Sequence, residues 1–147
     1  MGVKSKFTAA DFRRELEKRY QRINRAIILQ LQALGEELVN HARSLDTYKD
    51  QTGNLRASIG YVLIVNGVVY SHYFPDSKLG AATGRQLADE LSSRAGKGYA
   101  LIVVAGMDYA AAVESMGYDV LTSAEMLASS EFPKLKAKML AKIKAMK

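Results

Sequence analysis

His41 and His72 are the chain's two imidazoles, and with no Cys present they would have to anchor any metal site. They fall in different elements, with no third ligand at a recognisable spacing, so no metal is expected. His41 sits near the end of a long helical pattern, where a protonated ring suits the helix dipole, and His72 belongs on a strand surface. The carboxylate pairs Glu36-Glu37 and Asp89-Glu90 are adjacent on helices; neighbours in a helix point in different directions and cannot converge as an acid/base pair. Gly80-Ala81-Ala82-Thr83-Gly84-Arg85 has the look of a phosphate loop, but its glycines are one residue too close and the Lys-Ser/Thr pair is missing. Tyr61, Tyr70, Tyr73 and Tyr99 fall on strands and offer stacking faces for bases. The Lys and Arg that would track phosphates are largely absent from those strands. The residues therefore point to no catalytic, cofactor or metal site, no small-molecule substrate and no enzyme.

The polar stretch that remains is Gln51-Thr52-Gly53-Asn54-Leu55-Arg56-Ala57-Ser58-Ile59. Gly53 and Asn54 supply turn conformations, and Ile59 opens an alternating run, so the segment is a helix-to-strand pivot.

The elements around it follow from periodicity. Thr8 can cap a helix with Asp11 three residues on, a capping box with Asp in place of Glu. Phe12, Leu16, Tyr20, Ile23, Ile27, Leu31, Leu34, Leu38, Ala42 and Leu45 then recur at about 3.7 residues, one apolar stripe over 8–45. Unbroken, that helix spans about 55 Å, more than a compact domain of this size covers. It must overhang or bend near Gly35, and its stripe must be covered either by other copies of the chain or by the C-terminal helix folded back.

Residues 57–74 form a hairpin. Ile59, Tyr61, Leu63 and Val65 alternate with Ser58, Gly60, Val62 and Ile64, and Asn66-Gly67 is the dipeptide of a type I′ turn. A two-residue loop pairs Val65 with Val68 and Leu63 with Tyr70, and sets Tyr61 opposite His72 on the face of Ile59 and Phe74. Pro75 to Gly80 reads as a loop, 83–95 as a helix or a mobile arm, and 99–105 as a strand apolar on both faces and so central in its sheet. The pattern Thr122 to Glu125 is a second capping box. Its helix runs to about Ser129 and restarts at Ser130, with Pro133 in the first turn. Residues 123–146 thus form a helical C-terminus whose last part is amphipathic: Phe132, Leu135, Met139, Leu140, Ile143 and Met146 on one face, Lys on the other. The fold class is α+β: a long N-terminal helix, an antiparallel sheet built on a hairpin plus at least one further strand, and a C-terminal amphipathic helix, in a single domain over 1–147.

At 147 residues such a chain buries roughly 68–70% of its unfolded surface. The stretch Tyr99 to Val113 is interrupted by Gly106 and Asp108 and falls short of the roughly 20 apolar residues of a membrane span. The start, Met1 to Lys6, leads into charged helix, so neither an export signal nor a membrane is expected, and Lys6 stands where myristoylation wants Ser or Thr. The net charge of +6 is unevenly spread: residues 1–25 hold eight Lys/Arg against three acids, 131–147 hold six Lys against one, and the middle is −4. Such ends suit nucleic acid phosphates, an acidic protein surface or simply water.

Thr52-Gly53-Asn54-Leu55-Arg56-Ala57-Ser58-Ile59 and Tyr109-Ala110-Ala111-Ala112-Val113-Glu114, in the order helix, TGxLRxSI, hairpin, strand, YAxxVE, together resemble the small tail-component or head-tail joining proteins of long-tailed bacteriophages and prophages. The resemblance covers about residues 25–117 and rests on Thr52, Gly53, Leu55, Arg56, Ser58, Ile59, Tyr109, Ala110, Val113 and Glu114. The family often has Pro and Asp before the Thr, where this chain has Lys49-Asp50-Gln51. The Gly after the Glu is delayed to Gly117, and Tyr118 to Ser123 replace an aromatic-proline segment. What the resemblance implies is a non-enzymatic virion protein, assembled in the host cytoplasm into a ring at the neck or tail end. It would contact further copies of itself, neighbouring neck or tail proteins and, without sequence preference, DNA in transit. The alternative is a small basic nucleic-acid-binding or regulatory module using its Lys/Arg-rich termini. Within the paired motifs, either Arg56 and Glu114 form a partly buried pair that locks the long helix to the sheet, or each solvates a turn.

Overall fold

The computed structural model describes residues 2, 6–50, 52–75 and 79–146, and Gln51 of the pivot and residues 76–78 of the expected loop lie outside them. The elements run α1 (Ala9–Ser44), α2 (Asn54–Ala57), β1 (Ile59–Val65), β2 (Val68–Tyr73), α3 (Leu79–Ser92), β3 (Tyr99–Ala105), α4 (Ala110–Ser115) and α5 (Thr122–Ala145). The class is α+β.

Helix α1 is continuous over its 36 residues and starts on the expected capping box: the Asp11 amide donates to the Thr8 hydroxyl, and the Asp11 carboxylate accepts from the Thr8 amide. The Thr8 amide first and the Thr8 hydroxyl second, both donating to that carboxylate, hold the Asp11 carboxyl below its usual pKa. There is no break at Gly35. That residue is buried against the ring of Tyr61, where a Cβ would come within 2.8 Å of the ring, so its role is close packing of helix on strand. Ile28, Leu31, Leu34, Leu38, Val39 and Ala42 are buried, while the stripe nearer the N-terminus is not: Phe12, Leu16 and Tyr20 are 52%, 50% and 55% exposed. The first half of α1 is therefore an overhanging arm.

The sheet order is β2-β1-β3, antiparallel throughout. This corrects the expected placement of 99–105: β3 is an edge and β1 is the centre, buried on both faces from Ile59 to Ile64. The run of apolar residues in β3 reflects cover above and below rather than strands on both sides. On one face Ile59, Tyr61 and Leu63 join Ile28, Leu31 and Val39 of α1 with Leu55, Ala110, Val120 and Ala124. On the other, Val62, Ile64 and Val104 pack with Phe74 and with Ala81 and Ala88 of α3. The segment offered as helix or mobile arm is thus a packed helix that begins at Leu79, inside the expected loop.

The hairpin turns at Asn66-Gly67 with φ of 52° and 79°, both left-handed as a type I′ turn requires. Val65 faces Val68, but a bulge between Leu63 and Ile64 inserts one extra residue, Tyr70, into β2. Beyond it the register shifts: Leu63 faces Ser71, and Tyr61 faces Tyr73 instead of His72. One inserted residue flips the remaining side chains to the opposite face. Tyr73 therefore meets Tyr61, with ring centroids 5.6 Å apart, and Phe74 goes to the α3 side, away from Ile59.

Helix α5 is also unbroken, with Pro133 inside it. Ser130-Glu131-Phe132-Pro133 reads as a helix start in sequence. Packing overrides it, because Glu131, Leu135, Met139 and Ile143 recur every fourth residue as a half-buried face and α5 runs back along α1. Nor is Thr122 an N-cap. Leu121 occupies that position without a side-chain cap, and the Thr122 hydroxyl is engaged elsewhere.

Candidate functional site

The pivot is held by side-chain and backbone hydrogen bonds to several parts of the chain. Gly53, at φ 73°, reverses the backbone, and Asn54–Ala57 form a single helical turn closed by the Ala57 amide on the Gly53 carbonyl and the Ser58 amide on the Asn54 carbonyl. Thr52 is exposed and accepts from the Asn54 amide through its hydroxyl at 3.3 Å. Leu55 and Ile59 are buried, and they carry the turn into the main core.

Ser58 is the chain's one fully buried polar side chain among the described residues. Its hydroxyl donates to the Leu55 carbonyl at 2.7 Å and accepts from the amides of Gly106 and Met107 at 3.1 and 3.3 Å; its carbonyl also accepts from Gly106. Those amides lie just before Tyr109. Ser58 thus ties the first segment of the sequence resemblance to the stretch that leads into the second, 48 residues away at Gly106. Gly80 and Gly84 of α3 close against the same seam: a Cβ on Gly80 would collide with the Asn54 carbonyl, and one on Gly84 with the Ser58 carbonyl. The glycines of the apparent phosphate loop serve this close approach.

Arg56 and Glu114 take different partners, which sets aside the expected pair. Arg56 donates from its guanidinium to the Leu45 carbonyl at 2.8 Å, lies 4.9 Å over the Tyr48 ring and stands 3.7 Å from the fully exposed Asp46. Its amide donates to Asp50 and its carbonyl accepts from Arg43. It caps the C-terminus of α1. Glu114, the last but one residue of α4, accepts from the amides of Val120, Leu121 and Thr122 and from the Thr122 hydroxyl. It caps the N-terminus of α5. Each charge sits at the helix end whose dipole it complements. Burial works against the Glu114 carboxylate, but the Thr122 hydroxyl and the three amides outweigh it and hold its pKa below the ordinary value. Neither residue merely solvates a turn.

The other motif positions are structural. Ala110 is buried in the core beside Leu55 and Val120, Val113 packs on the same cluster, and Tyr109 is 41% exposed. Further links hold the two helix ends side by side: Thr47 to the Asp119 carbonyl at 2.8 Å, and His41 to the Ser123 hydroxyl at 2.9 Å. The latter was invisible in sequence, since 82 residues separate the two.

Tyr48 is the exception in this region. Burial pushes its phenol pKa up, and its hydroxyl has no hydrogen-bond partner. It lines an open hollow of about 550 Å³ with Asp46, Thr47, Lys49, Val113, Met116 and Tyr118. A second cavity, about 490 Å³ and mostly apolar, lies between α1, the free edge of β3 and α5. Among the described residues no group of three or more His, Cys, Asp or Glu could hold a metal, and no helix is long and apolar enough to cross a membrane. No family model, curated relative or solved structure matches the chain.

Proposed function

We propose that this chain is a structural, non-enzymatic subunit of a tailed-phage virion, a tail component or head-tail connector that assembles into a ring at the neck or tail end. The observation that carries the reading is the convergence of the two resembling segments on one seam. Ser58 of the first segment holds Gly106 and Met107, just ahead of Tyr109, Leu55 and Ala110 share one core, and the charged residue of each segment caps a long helix. Leu55, Ser58, Ile59 and Ala110 are buried where helix meets sheet, and Arg56 and Glu114 are taken up as helix caps. The overhanging stripe of α1 supports self-association, because half-exposed Phe12, Leu16 and Tyr20 want cover from another protein surface. Its partners are further copies and the adjoining neck or tail proteins, and its place is the virion after assembly in the host cytoplasm.

Deleting the gene from the phage or prophage that carries it, with electron microscopy of the lysate, tests the reading. Filled heads and tails that fail to join, or tails without their terminal ring, are expected, with rescue by the gene supplied in trans. Normal joined virions would overturn it. The basic ends of α1 and α5 favour a second reading, a nucleic-acid-binding module. Filter binding of the isolated protein to duplex DNA at two salt concentrations separates the two, since a module must hold DNA alone, with affinity falling steeply as salt rises.

A further inference from the structure

The two ends of α1 differ in charge and both leave apolar side chains uncovered. On the overhanging arm, residues 9–25 carry six Lys/Arg against three acids. At about 100° per residue, Phe12, Leu16 and Tyr20 fall within one narrow stripe, and Arg13 and Arg19 flank it on either side. About 42–48 Å from Leu16 and Phe12, where α1 ends, the molecule presents the opposite character. Residues 98–130 contain no Lys or Arg and four acids, of which Glu114 is held in the α5 cap while Asp108 and Glu125 are exposed; with Asp46, fully exposed, they outnumber Lys49, the basic residue of the hollow. Met116, Tyr118 and Met126 there are 65%, 46% and 67% exposed. The hollow below Tyr48 opens on this end, between Asp46 and Tyr118.

From this we infer that the arm of one copy docks, by Phe12, Leu16 and Tyr20, on the acidic Met116–Tyr118 end of the next copy. Charge complementarity selects the occupant. Two arms side by side would bring like-charged flanks together, whereas arm on acidic end pairs Arg13 and Arg19 with carboxylates. Size agrees as well. Three half-exposed large side chains on the arm and three on the other end bring together several hundred Å² of apolar surface, the order of a patch that marks an interface. The uncovered aromatic stripe between the arginines also favours protein over DNA, since phosphates would satisfy the charges and leave Phe12 and Leu16 wet.

The two patches are different surfaces of one chain, so the contact is head-to-tail. Repetition gives a ring if the rotation closes and a filament if it does not. This deepens the proposed assembly and rests on it only for the ring's place in a virion.

The absence of Cys gives a clean background for cross-linking. Leu16→Cys mixed with Met116→Cys under mild oxidation should give a disulfide-linked dimer. The double variant should give a ladder of multimers, and Leu16→Cys alone should stay monomeric on a non-reducing gel. Leu16→Cys linking to itself, or a double variant that yields no ladder while its circular dichroism matches wild type, overturns the inference. Arg13→Glu with Arg19→Glu should weaken the ladder at least about tenfold, and Asp108→Lys with Glu125→Lys should restore it. A short DNA duplex that abolishes the wild-type ladder at low salt would make DNA the arm's occupant instead. A missing ladder beside unjoined virions in the gene deletion would sink this contact and leave the virion role standing; a ladder beside normal virions would do the reverse.

Discussion

The seam around Ser58 and the arm of α1 are built from the same kinds of residue and behave oppositely. At the seam, polar groups are turned inward and each has a named partner: a serine takes two amides, an arginine closes one helix, a glutamate opens another. On the arm, side-chain bonds such as these are short-range: Asp11 is bonded to Thr8, Glu17 to Gln21, and Arg14 and Lys18 pair with acids three residues away. Exposed pairs of that sort help to keep a helix wound and contribute too little to fix its position. The seam is where the chain specifies its own fold; the arm is where it leaves surface for something else.

The sharpest way to break the seam is through its buried apolar anchor. Leu55→Ala removes a side chain that is 1% exposed in the main core and should cost about 2–5 kcal/mol in urea unfolding. Ser58→Val comes next: it removes the hydroxyl that accepts from the Met107 amide and leaves the Gly106 amide only the Ser58 carbonyl, for a loss of about 1–3 kcal/mol. A loss below about 0.5 kcal/mol for both would mean that the two motif segments are not held at this point.

Glu114 gives a smaller effect with a pH signature. Its folded pKa lies below the ordinary 4.5, so its contribution is fully present above that value and is lost as pH falls through the lowered folded value. Glu114→Gln should cost about 1 kcal/mol at neutral pH, with the difference from wild type shrinking in acid. Because Arg56 and Glu114 cap different helices, Arg56→Ala and Glu114→Ala should add within about 0.5 kcal/mol in a double-mutant cycle. Coupling well beyond that would restore the direct pair.

Much of this was legible in the sequence. The period of the α1 stripe, the Thr8–Asp11 cap and the Asn66-Gly67 turn are local features, and local chemistry decides them. The errors came where distant contacts decide. The bulge at Tyr70 leaves no mark in an alternating run, so the register past Leu63 could not be read. Pro133 and the Ser130 start signal are local cues overruled by packing on α1. The centrality of β1 over β3 depends on which strand the hairpin and α3 leave at the edge. For the site, the motif positions could be named, but the partners of Arg56 and Glu114 could not, because a helix end 6–11 residues away competes with a long-range ion pair and both are chemically sensible.

The smallest expected effect on stability tests the arm. Leu16→Lys adds a charge to a side chain already 50% exposed, in a segment whose neighbours Phe12 and Tyr20 are no better covered, so the isolated chain should unfold within about 0.5 kcal/mol of wild type. If the stripe serves association, the same substitution should abolish higher-mass species in light scattering at concentrations where wild type forms them. If it serves the fold, stability should fall by an amount closer to that of Leu55→Ala. One substitution therefore separates the two uses of an apolar stripe that continues without interruption from the exposed half of α1 into the buried half.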